Sequence, residues 1–137
     1  MGFADAGQLG IGVIEEKPYQ WPQVVQTLNS ILPKDIVSGM DHMVALGAGG
    51  DVYTWGLGGF GQLGIGPTSS EGILALPQRV EGIPPLSIIF SGADHSGGVD
   101  GTTPTNSRRS RMFPLSKAPP LTLFERICST RTSMGLG

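Results

Sequence analysis

The hexapeptide Gly-Gln-Leu-Gly-Ile-Gly occurs twice in the chain, at residues 7–12 and 61–66, an offset of 54 positions. Ser38-Gly39-Met40-Asp41-His42 returns as Ser91-Gly92-Ala93-Asp94-His95 at an offset of 53, and Pro22 and Val25 return as Pro77 and Val80 at an offset of 55. Three matches in one order and at nearly one spacing define an internal repeat of about 50 residues, the period of propeller blades and solenoid units. A repeat of that period constrains the architecture before any single residue is asked for a function.

The local patterns place the repeat on strands. Residues 35–46 are largely apolar around the small pair Ser38-Gly39, and 47–51 form a glycine-rich turn, where glycine reaches positive φ without steric cost. Asp51-Val52-Tyr53-Thr54-Trp55 has the β-branched and aromatic content that a strand prefers. Residues 56–66 hold six glycines in eleven positions and read as a loop that continues to residue 76, with a short extended piece at 77–80. Strand, glycine turn, strand and long glycine loop is the order of a radial β-sheet array. The 22 glycines and 11 prolines, about a quarter of the 137 residues, suit short strands and tight turns and exclude a helical bundle.

Charge divides the chain. Residues 1–101 carry three basic against ten acidic side chains, a net of −7, whereas residues 102–137 carry six basic against one acidic, a net of +5. The change of sign marks a boundary near Gly101, with repeats before it and a basic, disordered or aberrantly spliced tail after it. Cys128 is the single cysteine, so no internal disulfide framework exists and nothing points to secretion. Apolar runs such as 72–77 are far too short to span a bilayer as a helix. Ala6 stands where a myristoylation signal needs Ser or Thr. The expectation is a soluble chain without a membrane partner.

The motifs Ile36-Val37-Ser38-Gly39 with His42, Val44-Ala45-Leu46, Gly50-Asp51-Val52-Tyr53-Thr54-Trp55-Gly56 and Gly61-Gln62-Leu63-Gly64 resemble the regulator of chromosome condensation family. The resemblance covers residues 2–96 and implies an all-β fold, an incomplete β-propeller of the seven-bladed type with about two blades present. Gly39, Trp55, Gly56, Gly61, Gln62, Leu63 and Gly64 would be its structural repeat positions. Phe3, Asp5 and Gly7 resemble an opening signature of the family members that exchange guanine nucleotide on the small GTPase Ran, with altered spacing. The resemblance implies a protruding wedge over 13–18, including Glu15, Glu16 and Lys17, and GTPase contacts at Asp41, His42 and, by repetition, Asp94. Exchange involves no covalent chemistry and no cofactor, so the chain is expected to be a GTPase regulator, nuclear or alternatively cytoplasmic, with chromatin as a further partner. The competing reading is a non-catalytic interaction or scaffold module. A plant ultraviolet-B photoreceptor is disfavoured, because that type needs clustered tryptophans and the chain has Trp21 and Trp55 alone.

Blander readings stand beside these. Asp41-His42 and Asp94-His95 recur with the repeat, which suits histidines hydrogen-bonded inside their own turns. His42 and His95 are too few ligands for a structural zinc site. Glu15-Glu16-Lys17 also suits a solvated loop. Gly56-x-Gly58-x-x-Gly61 spells the dinucleotide fingerprint, but the Gln-Leu-Gly-Ile-Gly-Pro that follows cannot open the helix that fingerprint requires.

The second copy departs from the first after His95. Where the first continues Met43-Val44-Ala45-Leu46, the second reads Ser96-Gly97-Gly98-Val99, with no second Tyr-x-Trp-Gly. Arg108-Arg109-Ser110-Arg111 and Pro119-Pro120 have neither period 2 nor the repeat. The expectation is a truncated variant that opens inside one blade and ends inside another. Such an arc exposes strand edges and blade faces, so impaired exchange activity and self-association are expected.

Overall fold

The computed structural model describes residues 1–66, 72–100 and 112–115. Two antiparallel sheets carry the fold. The first has the order β1-β2-β3-β4, built from β1 (Pro33–Ser38), β2 (His42–Gly47), β3 (Val52–Leu57) and β4 (Ile73–Arg79). The second has the order β5-β6-β7, built from β5 (Leu86–Ser91), β6 (Ser96–Asp100) and β7 (Met112–Pro114). A single-turn 3-10 helix, Gln26–Ser30, precedes β1. The all-β expectation of successive propeller blades holds.

The repeat is visible in the pairing. Val37 pairs with Val44 and Ser38 with Met43 in the first sheet; Phe90 pairs with Gly97 and Ser91 with Ser96 in the second. The offset of 53 residues maps one ladder onto the other. Strand β2 is apolar on both faces because both are covered. Val44 and Leu46 join Val52, Val80, Leu86, Ile89 and Leu115 in the core between the sheets. Ala45, with Trp55 and Leu28, forms a second cluster beneath the segment that precedes β1, joined by Val25, Ile31, Met43 and Tyr53. An alternating polar face, the mark of a half-exposed strand, is therefore absent from β2.

The two glycine hexapeptides make the same turn twice. Gly7 and Gly61 have φ of 69° and 80°, and Gly10 and Gly64 both have φ of 69–70°. Gly10 N donates to Gly7 O at 3.0 Å, and Gly64 N donates to Gly61 O at 3.0 Å. The Gln8 and Gln62 side chains each accept the amide two residues earlier, from Ala6 and Phe60, at 2.9 Å.

One expectation needs correction, and two strands add to the pattern read from the sequence. Strand β4 begins at Ile73, inside the stretch read as loop, because Leu74 and Ile73 pair with Gly56 and Leu57. Ser96–Asp100 is a strand despite its glycines. An added Cβ on Gly98 would meet the Leu86 side chain and the Ile88 carbonyl, so a glycine is what lets the strands and core close up there. Met112–Pro114 pairs with β6, beyond the boundary at 101 and inside the expected disordered tail. The buried side chain of Leu115 anchors it. The remainder of that tail, including Arg108 to Arg111 and Cys128, lies outside the described residues.

Candidate functional site

Each Ser-Gly-x-Asp-His element is the turn between the first two strands of its sheet. Gly39 N donates to His42 O at 2.8 Å, and Gly92 N donates to His95 O at 2.9 Å. Each glycine lies against its own histidine: a methyl on Gly39 would overlap the His42 imidazole, and one on Gly92 would overlap the His95 imidazole. The backbone of Asp41 is fixed from the other side. Its carbonyl accepts from Leu57 N at 2.8 Å, and Gly56, at φ 100°, passes so close that any Cβ would strike that carbonyl.

The two turns touch. Met40 N donates to Ala93 O at 3.1 Å, which sets Asp41 and Asp94 on adjacent turns at one end of the two sheets. Asp94 is exposed and Asp41 half-buried. The ion pair between Arg79 and Asp51, 2.5 Å long, lies at the opposite end of β3, since Asp51 precedes Val52 whereas Asp41 precedes the partner of Gly56. Among the described residues, neither Asp41 nor Asp94 has a lysine or arginine partner.

His42 sits beneath these carboxylates, 1% exposed. Its Nε2 shares hydrogen bonds with Ser96 Oγ at 2.7 Å and Ser91 Oγ at 3.0 Å, bridging the first sheet to the second. Its Nδ1 is buried without a hydrogen-bond partner among the described residues. Burial lowers its pKa below the ordinary histidine value; Asp94 and Asp41 oppose that shift and His95 reinforces it. The imidazole is thus a neutral joint between blades. His95, its repeat counterpart, is exposed.

Glu15, Glu16 and Lys17 are exposed and line an open depression. Their loop is closed at its base by paired hydrogen bonds between Gly2 and Tyr19, at 2.9 and 2.8 Å, and by Glu15 N to Ala4 O at 3.3 Å. Among the described residues, no hydrogen bond or ion pair joins it to Asp41 or Asp94. No group of three or more His, Cys, Asp or Glu side chains among the described residues is placed to hold a metal.

The remaining repeat positions are internal except Gly61, which is half-buried. Trp55 is buried and donates its indole N–H to Gln8 O at 2.9 Å. Thr54 Oγ1 donates to Leu63 O at 2.7 Å. Gln62 and Leu63 are both 1% exposed. Sequence reasoning missed the serine partners of His42. Ser91 carried a signal, as the repeat of Ser38; Ser96 did not, since its counterpart is Met43.

The comparisons with known proteins agree with this geometry. The regulator of chromosome condensation (RCC1) repeat matches residues 49–99, and a second description of that repeat matches 34–62. The chain is 39% identical over 98 residues to the probable E3 ubiquitin-protein ligase HERC6 of Homo sapiens, covering 69% of this chain and 9% of the relative. It is 36% identical over 101 residues to the regulator of chromosome condensation of Xenopus laevis, covering 72% of this chain and 22% of the relative. The crystal structure of Prp20p from Saccharomyces cerevisiae aligns with a TM-score of 0.57 at 21% identity, over 73% of this chain and 26% of that one. The chain therefore spans about a quarter or less of each of these proteins. Residues 34–99 are regulator of chromosome condensation repeats, and the chain belongs to that repeat family.

Proposed function

We propose that the chain contributes to guanine nucleotide exchange on a Ran-type small GTPase, as a regulator and not as a covalent catalyst. The observation that carries this reading is the Met40–Ala93 hydrogen bond. It sets Asp41 and Asp94 on adjacent turns without a basic partner among the described residues. An acidic rim of this kind attracts a basic surface and speeds encounter with it. His42 holds the rim in place from below, and Glu15, Glu16 and Lys17 offer a second, separate contact. The similarity to the Xenopus relative supports the reading. So does the fold shared with Prp20p, whose binding properties to Gsp1p and histones were described with its structure. On this reading the chain works in the nucleus, with chromatin as a further partner.

Exchange is a shift of population. A factor that binds the nucleotide-free GTPase more tightly than the loaded form favours release by that differential affinity and no more. Release of fluorescent GDP from Ran tests the reading directly. The chain should accelerate release, though more weakly than an intact family member, and Asp41→Ala or Asp94→Ala should weaken the effect by about tenfold, the equivalent of about 1.4 kcal/mol. Release at the unstimulated rate refutes it.

A second reading, a non-catalytic interaction module, is favoured by one specific finding. The ubiquitin-ligase relative matches nearly the same share of the chain, at slightly higher identity, as the regulator of chromosome condensation. Unstimulated GDP release would leave this reading standing.

A further inference from the structure

Strand β7 reproduces the register of β3 with an unrelated sequence. In the first sheet, Met43 lies opposite Trp55, Val44 opposite Thr54, Ala45 opposite Tyr53 and Leu46 opposite Val52. Moving β2 onto β6 by the repeat offset turns these partners into Ser96, Gly97, Gly98 and Val99. Their partners across the second sheet are Leu115, through Leu115 N to Ser96 O at 3.0 Å, then Pro114, Phe113 and Met112. Met112–Leu115 thus occupies the place that Val52-Tyr53-Thr54-Trp55 fills in the blade before.

The floor of the slot is also repeated. Trp55 stands on the first glycine turn, where a Cβ on Gly10 would come within 2.7 Å of its Nε1. Leu115 stands on the second, where a Cβ on Gly64 would overlap the Leu115 carbonyl. The occupant fits less well than its counterpart. Leu115 has no side-chain N–H to match the bond from Trp55 to Gln8, and Pro114 has no backbone N–H to give to a ladder. Among the described residues, strand β7 has three where β3 has six.

We propose that the side of β6 away from β5, floored by the turn at Gly64, is an acceptor site for an extended partner peptide of the pattern apolar-Tyr-x-Trp-Gly, and that Met112–Leu115 fills it in cis as a weaker occupant. The peptide adds a strand antiparallel to β6, its backbone supplying the ladder and its tryptophan taking the Leu115 position. Occupancy in cis lowers the apparent affinity by the fraction of molecules with the slot open.

The probe is a fluorescent peptide with the sequence of residues 51–57, titrated by anisotropy against the full chain. Leu115→Asp should tighten binding by about tenfold or more, by freeing the slot. The same peptide with its tryptophan replaced by alanine should not bind. If Leu115→Asp unfolds the chain, Leu115→Ala makes the same comparison. In the unmutated chain, bound peptide should move the Leu115 methyl resonances towards free-chain positions. Equal affinity for wild type and the folded variant, binding that ignores the tryptophan, or no saturable binding to either overturns the proposal.

Discussion

The indole N–H of Trp55 donates to the main-chain carbonyl of Gln8, 2.9 Å away and 47 residues earlier. This contact ties β3 to the first glycine turn and closes the cluster of Leu28, Ala45 and Trp55. Trp55→Phe keeps most of the packing and loses the hydrogen bond, so it should cost about 1 kcal/mol. Trp55→Ala also leaves a cavity and should cost about 3–5 kcal/mol. Urea denaturation followed by circular dichroism separates the two.

Gly39 and Gly92 occupy the same position in the repeat but should not respond alike. A methyl on Gly39 meets the His42 ring, which Ser91 and Ser96 hold in place, so Gly39→Ala should destabilise by about 1–3 kcal/mol. A methyl on Gly92 meets the His95 ring, which is exposed where the His42 ring is buried. Gly92→Ala should stay within about 0.5 kcal/mol of wild type. Comparison of urea midpoints checks the contrast.

His42 makes stability depend on pH. Burial disfavours its charged form in the fold, so the unfolded chain takes up the proton more readily. The contribution is complete above the ordinary histidine value of 6.5 and is lost as pH falls from there through the lower folded value. Asp94 and Asp41 moderate the loss, and the charge on His95 adds to it. Denaturation midpoints should fall between pH 8 and pH 5, and His42→Gln should flatten that dependence relative to wild type.

The outer edge of β1 has no strand partner among the described residues, and it bears Ile36 at 45% exposure with Met40 exposed at its end. Unpaired edges with apolar side chains favour pairing between chains. Sedimentation velocity should show concentration-dependent association that Ile36→Lys reduces.

The glycine turns, the Asp-His turns and the Tyr-x-Trp strand were legible because each rests on a residue type that its backbone demands. Glycine at positive φ, as at Gly61 and Gly64, and an aromatic with a polar handle, as at Trp55, leave their mark in composition. Strand β6 was not legible. Its pairing depends on Leu86 and Ile88 filling the space beside Gly98, and a strand preference scale registers only the glycine. The start of β4 at Ile73 was hidden because the preceding glycines and proline suggested a continuing loop. Strand β7 was hidden because Met112–Leu115 carries no copy of the Tyr-x-Trp-Gly pattern that fills the same place in the first sheet. At the candidate site, repetition exposed Asp41, His42 and Asp94, but the serine bridge needed coordinates, since Ser96 replaces a methionine of the first copy.

The central claim is that residues 33–79 and 86–100 form consecutive blades joined through a shared core and the His42 bridge. Methyl-resolved nuclear Overhauser spectroscopy tests it most directly. The account predicts cross-peaks from Val44 and Leu46 to Leu86 and Ile89, four residues of one buried cluster. Folded sheets giving intra-sheet cross-peaks but none between these pairs would contradict it.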